Sequence, residues 1–132
     1  MTSRWQNSQR ILWNMNSACF FLTLLSIAEE FLHEKVDLLD SARHCMNKGW
    51  MDSEYFINND TLILGWLTGK KVTKQIYDGN RPLPLLKANQ YSAAKYGLNG
   101  GNHFRRRYFD VYEGSRTVEQ GVLLAYYVYT IG

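Results

Sequence analysis

The sequence predicts an α+β domain in which helices come first and an antiparallel sheet follows. Between Ser17 and Glu34 apolar residues recur at three- and four-residue steps, the period of a helix buried along most of its surface. From Lys71 onward the period changes to two, and the stretch Val122 to Ile131 is rich in Val and Tyr, as a pleated strand favours. Runs of helices followed by runs of strands indicate α+β rather than a doubly wound parallel sheet.

The first helix is carried by Phe20, Phe21, Leu24, Leu25, Ile27, Ala28, Phe31 and Leu32, with Glu29, Glu30 and Glu34 near its end. Ser17 is the candidate N-cap, since its hydroxyl oxygen can accept a free N–H of the first turn. Cys19 then stands at the second helical position. A second helix is expected from Asp37 to Lys48, with Leu38, Leu39, Ala42, Cys45 and Met46 on one face and Gly49 as its stop. Asn58, Asn59 and Asp60 can cap a third over Thr61 to Leu67. Lys71 to Tyr77 reads as a strand that Asp78, Gly79 and Asn80 end in a turn. Pro82 and Pro84 interrupt the next stretch, and Arg81 to Gly101 is left unassigned. Asn99 to Asn102 predicts a turn, with strands over His103 to Val111 and Val122 to Ile131.

A chain of 132 residues fits one domain, residues 1–132, with one core. Hydrophobic residues at 45% and charged residues at 20% exclude a disordered chain. Aromatics reach 14%, with nine Tyr and four Trp, enough for an aromatic core or a stacking surface. No secretory signal pattern opens the sequence, and two cysteines, Cys19 and Cys45, suit thiols in a reducing cytoplasm. The longest apolar run, Ala18 to Leu25, is too short to cross a bilayer, so no membrane association is expected. Charge is uneven: residues 1–66 carry five Lys or Arg against eight Asp or Glu, and residues 67–132 carry ten against four. A basic second half suits an acidic partner, yet no nucleic-acid recognition motif accompanies it, and nucleic acid is the minority reading.

Chemistry points first to Cys19. A thiol is nucleophilic as the thiolate, which the partial positive charge of a helix N-terminus favours, and an imidazole with an orienting carboxylate would complete the activation. His103 and Asp110 are the available partners; seven residues of extended chain would hold them about 23 Å apart at ~3.3 Å per residue unless the segment folds back. The plain alternatives are a small buried hydrophobe for Cys19 and a solvated turn residue for His103. Arg105, Arg106 and Arg107 read as a solvated strand face. His33 and His44 lack metal-ligand spacing, and no Gly-rich phosphate loop is present, so neither metal nor cofactor is expected.

The run Asn16-Ser-Ala-Cys-Phe-Phe-Leu-Thr-Leu-Leu-Ser-Ile-Ala-Glu-Glu30 resembles the nucleophile helix of the small papain-like cysteine peptidases. Asn99-Gly-Gly-Asn-His-Phe104 is similar to their His-Phe strand, and Phe109 to Gly121 to their Asp-Pro loop with its Ser-x-Thr-Val tail. The resemblance covers residues 9–34 and 96–130, and is closest to short bacterial, phage or plasmid proteins of this papain-like order. It implies a papain-like fold with helices packed on a C-terminal antiparallel sheet, Cys19 as nucleophile, His103 as general base and Asp110 as orienting residue. It implies further that Asn14, or Trp13, occupies the place of the family's oxyanion Gln, and that the substrate is a peptide or protein. Val111 stands where the family has Pro, and the step from His103 to Asp110 is short. Two functions follow from the resemblance: a cysteine peptidase or amidase, or a papain-like module without activity that holds an acidic partner through its basic second half.

Overall fold

A computed structural model describes residues 18–98, 101–106 and 122–132. They form three helices, α1 (Ala18–Leu32), α2 (Leu38–Asn47) and α3 (Asp60–Thr68), and then four strands, β1 (Val72–Asp78), β2 (Gln90–Leu98), β3 (Gly101–Arg106) and β4 (Val122–Ile131). All pairings are antiparallel and the strand order is β1-β4-β2-β3. The class is therefore α+β, helices first, as the sequence predicts. No helix among the described residues is long and apolar enough to cross a membrane.

The helices begin and end where short polar residues and glycine allow it. Asp37 caps α2 by accepting the Asp40 N–H at 2.7 Å, and Gly49, at φ 76°, turns the chain so that the Trp50 N–H reaches back to Cys45 O at 3.0 Å. Asn59 caps α3 through Leu62 N–H, and Gly69, at φ 70°, closes it with a 2.8 Å bond to Gly65 O. These ends lie within a residue or two of those expected. The Ser17 cap lies outside the described residues.

Two expectations are corrected. Gly101 and Asn102, expected in a turn, belong to β3: the β2–β3 ladder continues to the pair Leu98↔Gly101, because ladder bonds need only backbone. The unassigned stretch contains β2, a central strand flanked by β4 and β3. Ser92, Ala93 and Ala94 are all buried, so both faces of β2 are covered and no polar–apolar alternation marks it in the sequence.

The core lies between α1, α3 and one sheet face. Phe21, Leu24, Leu25 and Ile27 of α1 meet Ile63 and Leu64 of α3 and Ala93, Tyr129 and Ile131 of the sheet. Within it sits a polar cluster of three residues far apart in sequence. Asp60, at the start of α3, accepts from Lys74 Nζ at 2.9 Å and from the Tyr129 hydroxyl at 2.6 Å on one oxygen, while its other oxygen accepts the Thr61 N–H at 2.9 Å. Burial first, then the Asp60 charge, pushes the Tyr129 hydroxyl well above its usual range, so it stays a donor. Removing the acceptor strands the buried Tyr129 hydroxyl and leaves the partly exposed Lys74 without its carboxylate, whereas removing the Tyr hydroxyl leaves Lys74 and Asp60 paired. Asp60→Ala should therefore cost about 2–4 kcal/mol and Tyr129→Phe about 1–2 kcal/mol in urea unfolding. Equal costs would contradict the shared-acceptor account.

Cys45, fully buried on α2, has its thiol pushed up by burial from 9.0 to about 11. The folded chain keeps that proton where the unfolded chain releases it, so this contribution to stability is complete below pH 9 and lost as pH rises through 11. The stability gap between wild type and Cys45→Ala should shrink by about 2 kcal/mol between pH 9 and pH 11. A gap that stays constant over that range would show that Cys45 ionises as freely in the fold as outside it.

Candidate functional site

The register of the sheet fixes which backbone groups of each strand look outward. Gly132 N–H bonds Lys71 O and Gly79 N–H bonds Leu124 O, while Ile131 N–H bonds Asn89 O. Alternate residues of β4 thus serve β1 and β2 in turn. Carried across β2, the same alternation directs the N–H and C=O of Asn102, Phe104 and Arg106 away from β2, toward the open side of β3. Unpaired backbone at such an edge needs a partner.

α1 supplies it. Cys19, Thr23, Ser26 and Glu30 fall at steps of four, three and four, one stripe of the helix. The Thr23 hydroxyl lies 2.8 Å from Cys19 O and 3.3 Å from Phe104 O, bridging helix and strand. Arg106 donates to Ser26 Oγ at 3.3 Å and to both oxygens of Glu30 at 2.9 and 3.3 Å. Phe20 stacks on Phe104 with ring centres 3.9 Å apart and planes 14° from parallel, and both rings meet Tyr127, at 5.9 and 5.5 Å. Lys74 Nζ stands over the Tyr127 ring at 4.9 Å, and Lys95 Nζ reaches its hydroxyl at 3.5 Å.

Cys19 is a free, half-buried thiol at the second position of α1, as expected. Burial pushes it up. Against that act the N–H groups of Phe104 and Phe20, the charge of Arg105 and the N–H of Cys19 itself, all favouring the thiolate. The helix-terminus effect is thus present, but desolvation outweighs it, and the resting thiol keeps its proton at neutral pH.

The structure brings Cys19 to Phe104, the residue next to His103. His103 is half-buried on β3, and since Phe104 and Arg106 face α1, strand alternation directs the His103 and Arg105 side chains to the opposite side. Asp110 and Asn14 lie outside the described residues, as do Trp13, Val111 and Arg107. Arg106 corrects the expectation of a solvated arginine face: it is 5% exposed, because alternation turns it alone of Arg105 and Arg106 toward Glu30. No group of three His, Cys, Asp or Glu among the described residues is placed to hold a metal.

Sequence reasoning missed Thr23, Ser26 and the Arg106–Glu30 pair. The signal was there: two small polar residues inside an apolar run, in helical step with Cys19 and Glu30. Comparison with protein-family models, curated proteins and solved structures finds no match.

The fork of Arg106 spans Ser26 and Glu30 with two nitrogens, which a lysine cannot reproduce. Arg106→Lys is expected to lower stability by about 1–2 kcal/mol, with Glu30 half-exposed and the loss therefore moderate. Thermal unfolding measures it, and an unchanged melting temperature would deny the fork its role.

Proposed function

We propose that this chain is a papain-like cysteine peptidase or amidase domain acting on a peptide or isopeptide bond, with Cys19 as nucleophile, His103 as general base and Asp110 as the residue that orients the imidazole. The observation that supports it is the seat of Cys19: the first turn of a buried helix, with backbone N–H groups against the sulfur, on the strand residue adjoining His103. Because burial keeps the thiol protonated, the reaction requires a base. The imidazole takes the thiol proton, the thiolate adds to the carbonyl carbon, and the amine leaves with that proton as a thioester forms; water then releases the acid and restores the thiol. N–H donors of the first turn, with Asn14, suit the oxyanion. The Phe20, Phe104 and Tyr127 rings offer an apolar wall beside the nucleophile for a substrate side chain.

A second reading is favoured by the same burial. Cys19 and Thr23 seal the edge of β3, and a papain-like shell that keeps the seal without the chemistry would serve as a binding module, holding an acidic partner through the basic second half.

Alkylation of the folded chain by iodoacetamide at neutral pH separates the two. The enzyme reading expects Cys19 to react faster than in the urea-unfolded chain, and expects His103→Ala to abolish the excess. If folding slows alkylation at Cys19, and His103→Ala changes nothing, the binding module is the function that stands.

A further inference from the structure

The two edges of the sheet are treated differently. β3 is sealed by α1, whereas β1, the other edge, carries Thr73, Lys74, Gln75 and Ile76 exposed, Ile76 at 57%. The bonds Gly132 N–H to Lys71 O and Gly79 N–H to Leu124 O commit the odd-numbered residues of β1 to β4. Val72, Lys74, Ile76 and Asp78 therefore present their backbone N–H groups outward, and no strand among the described residues pairs with them. Natural edges are blunted by bulges, prolines or free lysines. β1 has neither bulge nor proline, and its one lysine is drawn off the edge by Asp60, 2.9 Å from its Nζ.

We propose that β1 is the docking edge for β1 of a second copy of this chain, the two strands running antiparallel about a two-fold axis at Gln75. This register is the one of full overlap, since Gln75 is the middle residue of Val72–Asp78. It sets outward-facing residues against outward-facing residues: Lys74 opposite Ile76 and Val72 opposite Asp78. Overlap selects this register, and charge complementarity selects the antiparallel sense. Lys70 and Lys71 lead into the strand and Asp78 closes it, so antiparallel pairing brings the basic end of each copy to the acidic end of the other. A slip of one pair toward the strand start would set Lys74 against Lys74, and a parallel arrangement would set like ends together. The exposed Ile76 is covered by the aliphatic stem of Lys74 in the facing strand.

Sedimentation equilibrium of the full chain should show a dimer, and Ile76→Pro, which deletes an outward donor while leaving the β1–β4 bonds intact, should give a folded monomer by circular dichroism. Gln75 faces Gln75 across a non-hydrogen-bonded pair, where Cα atoms sit about 4.5 Å apart, within disulfide reach. Gln75→Cys should then cross-link under mild oxidation many times faster than Leu85→Cys, at a position 97% exposed. A monomeric wild type, a dimer that persists in folded Ile76→Pro, or equal cross-linking at the two cysteines would each overturn the proposal. Should Ile76→Pro fail to fold, the cross-linking comparison decides alone.

Discussion

A helix buried on nearly every side can keep polar side chains only where they meet polar partners, and the outward backbone of β3 is where α1 finds them. Desolvating a hydroxyl or a strand carbonyl without a partner costs a few kcal/mol, so the two surfaces stabilise each other where either alone would be a liability. The stripe Cys19, Thr23, Ser26 and Glu30 is the helix side of this contact. Phe104 and Arg106 are the strand side. Once the stripe is fixed on β3, the rotation of α1 is fixed too, and Phe21, Leu24, Leu25 and Ile27 can only face α3 and the sheet.

The second anchor, Asp60 with Lys74 and Tyr129, ties the start of α3 to the other half of the sheet. Tyr127 joins the two anchors. Its ring carries Lys74 and also meets Phe20 and Phe104, so the aromatic wall beside Cys19 is continuous with the partly buried ion pair. Positive charge at Lys74 and Lys95 is thereby held around an aromatic face, where a π-system favours cations. The basic excess of the second half is partly consumed inside the fold: Arg106 and Lys74 are spent on Glu30 and Asp60, carboxylates of the acidic first half. The charge asymmetry of the sequence is in this part an internal complementarity between helices and sheet.

What was legible in the sequence is what local chemistry dictates. The helices followed from apolar spacing and from Asp37, Asn59, Gly49 and Gly69 at their ends; β4 followed from its run of Val and Tyr. β2 did not, because a strand buried on both faces by Ser92, Ala93 and Ala94 shows no alternation, and small residues carry no strand preference of their own. Asp60, Lys74 and Tyr129 were invisible because their partners stand fourteen and sixty-nine residues away. Arg106 was misread for the same reason: a triplet of arginines looks solvated until alternation assigns one of them to Glu30. Cys19 was found by its place at a helix start, but the direction of its pKa was set by burial under β3, which no window of sequence contains.

The edge position of β3 also bears on the chemistry of Cys19. In an interior strand, a histidine on the opposite side from its neighbour would be separated from any group on the near side by the full width of the sheet. At the β3 edge only the backbone of that one strand, packed against α1, stands between the two sides. Cys19 sits at that edge, against the backbone of Phe104. Its sulfur faces N–H donors that favour a thiolate, in surroundings too dry to sustain one unaided. A group in that state is a weak nucleophile alone and a strong one once a base accepts its proton in place, because the donors that steady the anion are already there. Sealing an edge and setting a thiol against N–H donors therefore call for the same arrangement of atoms.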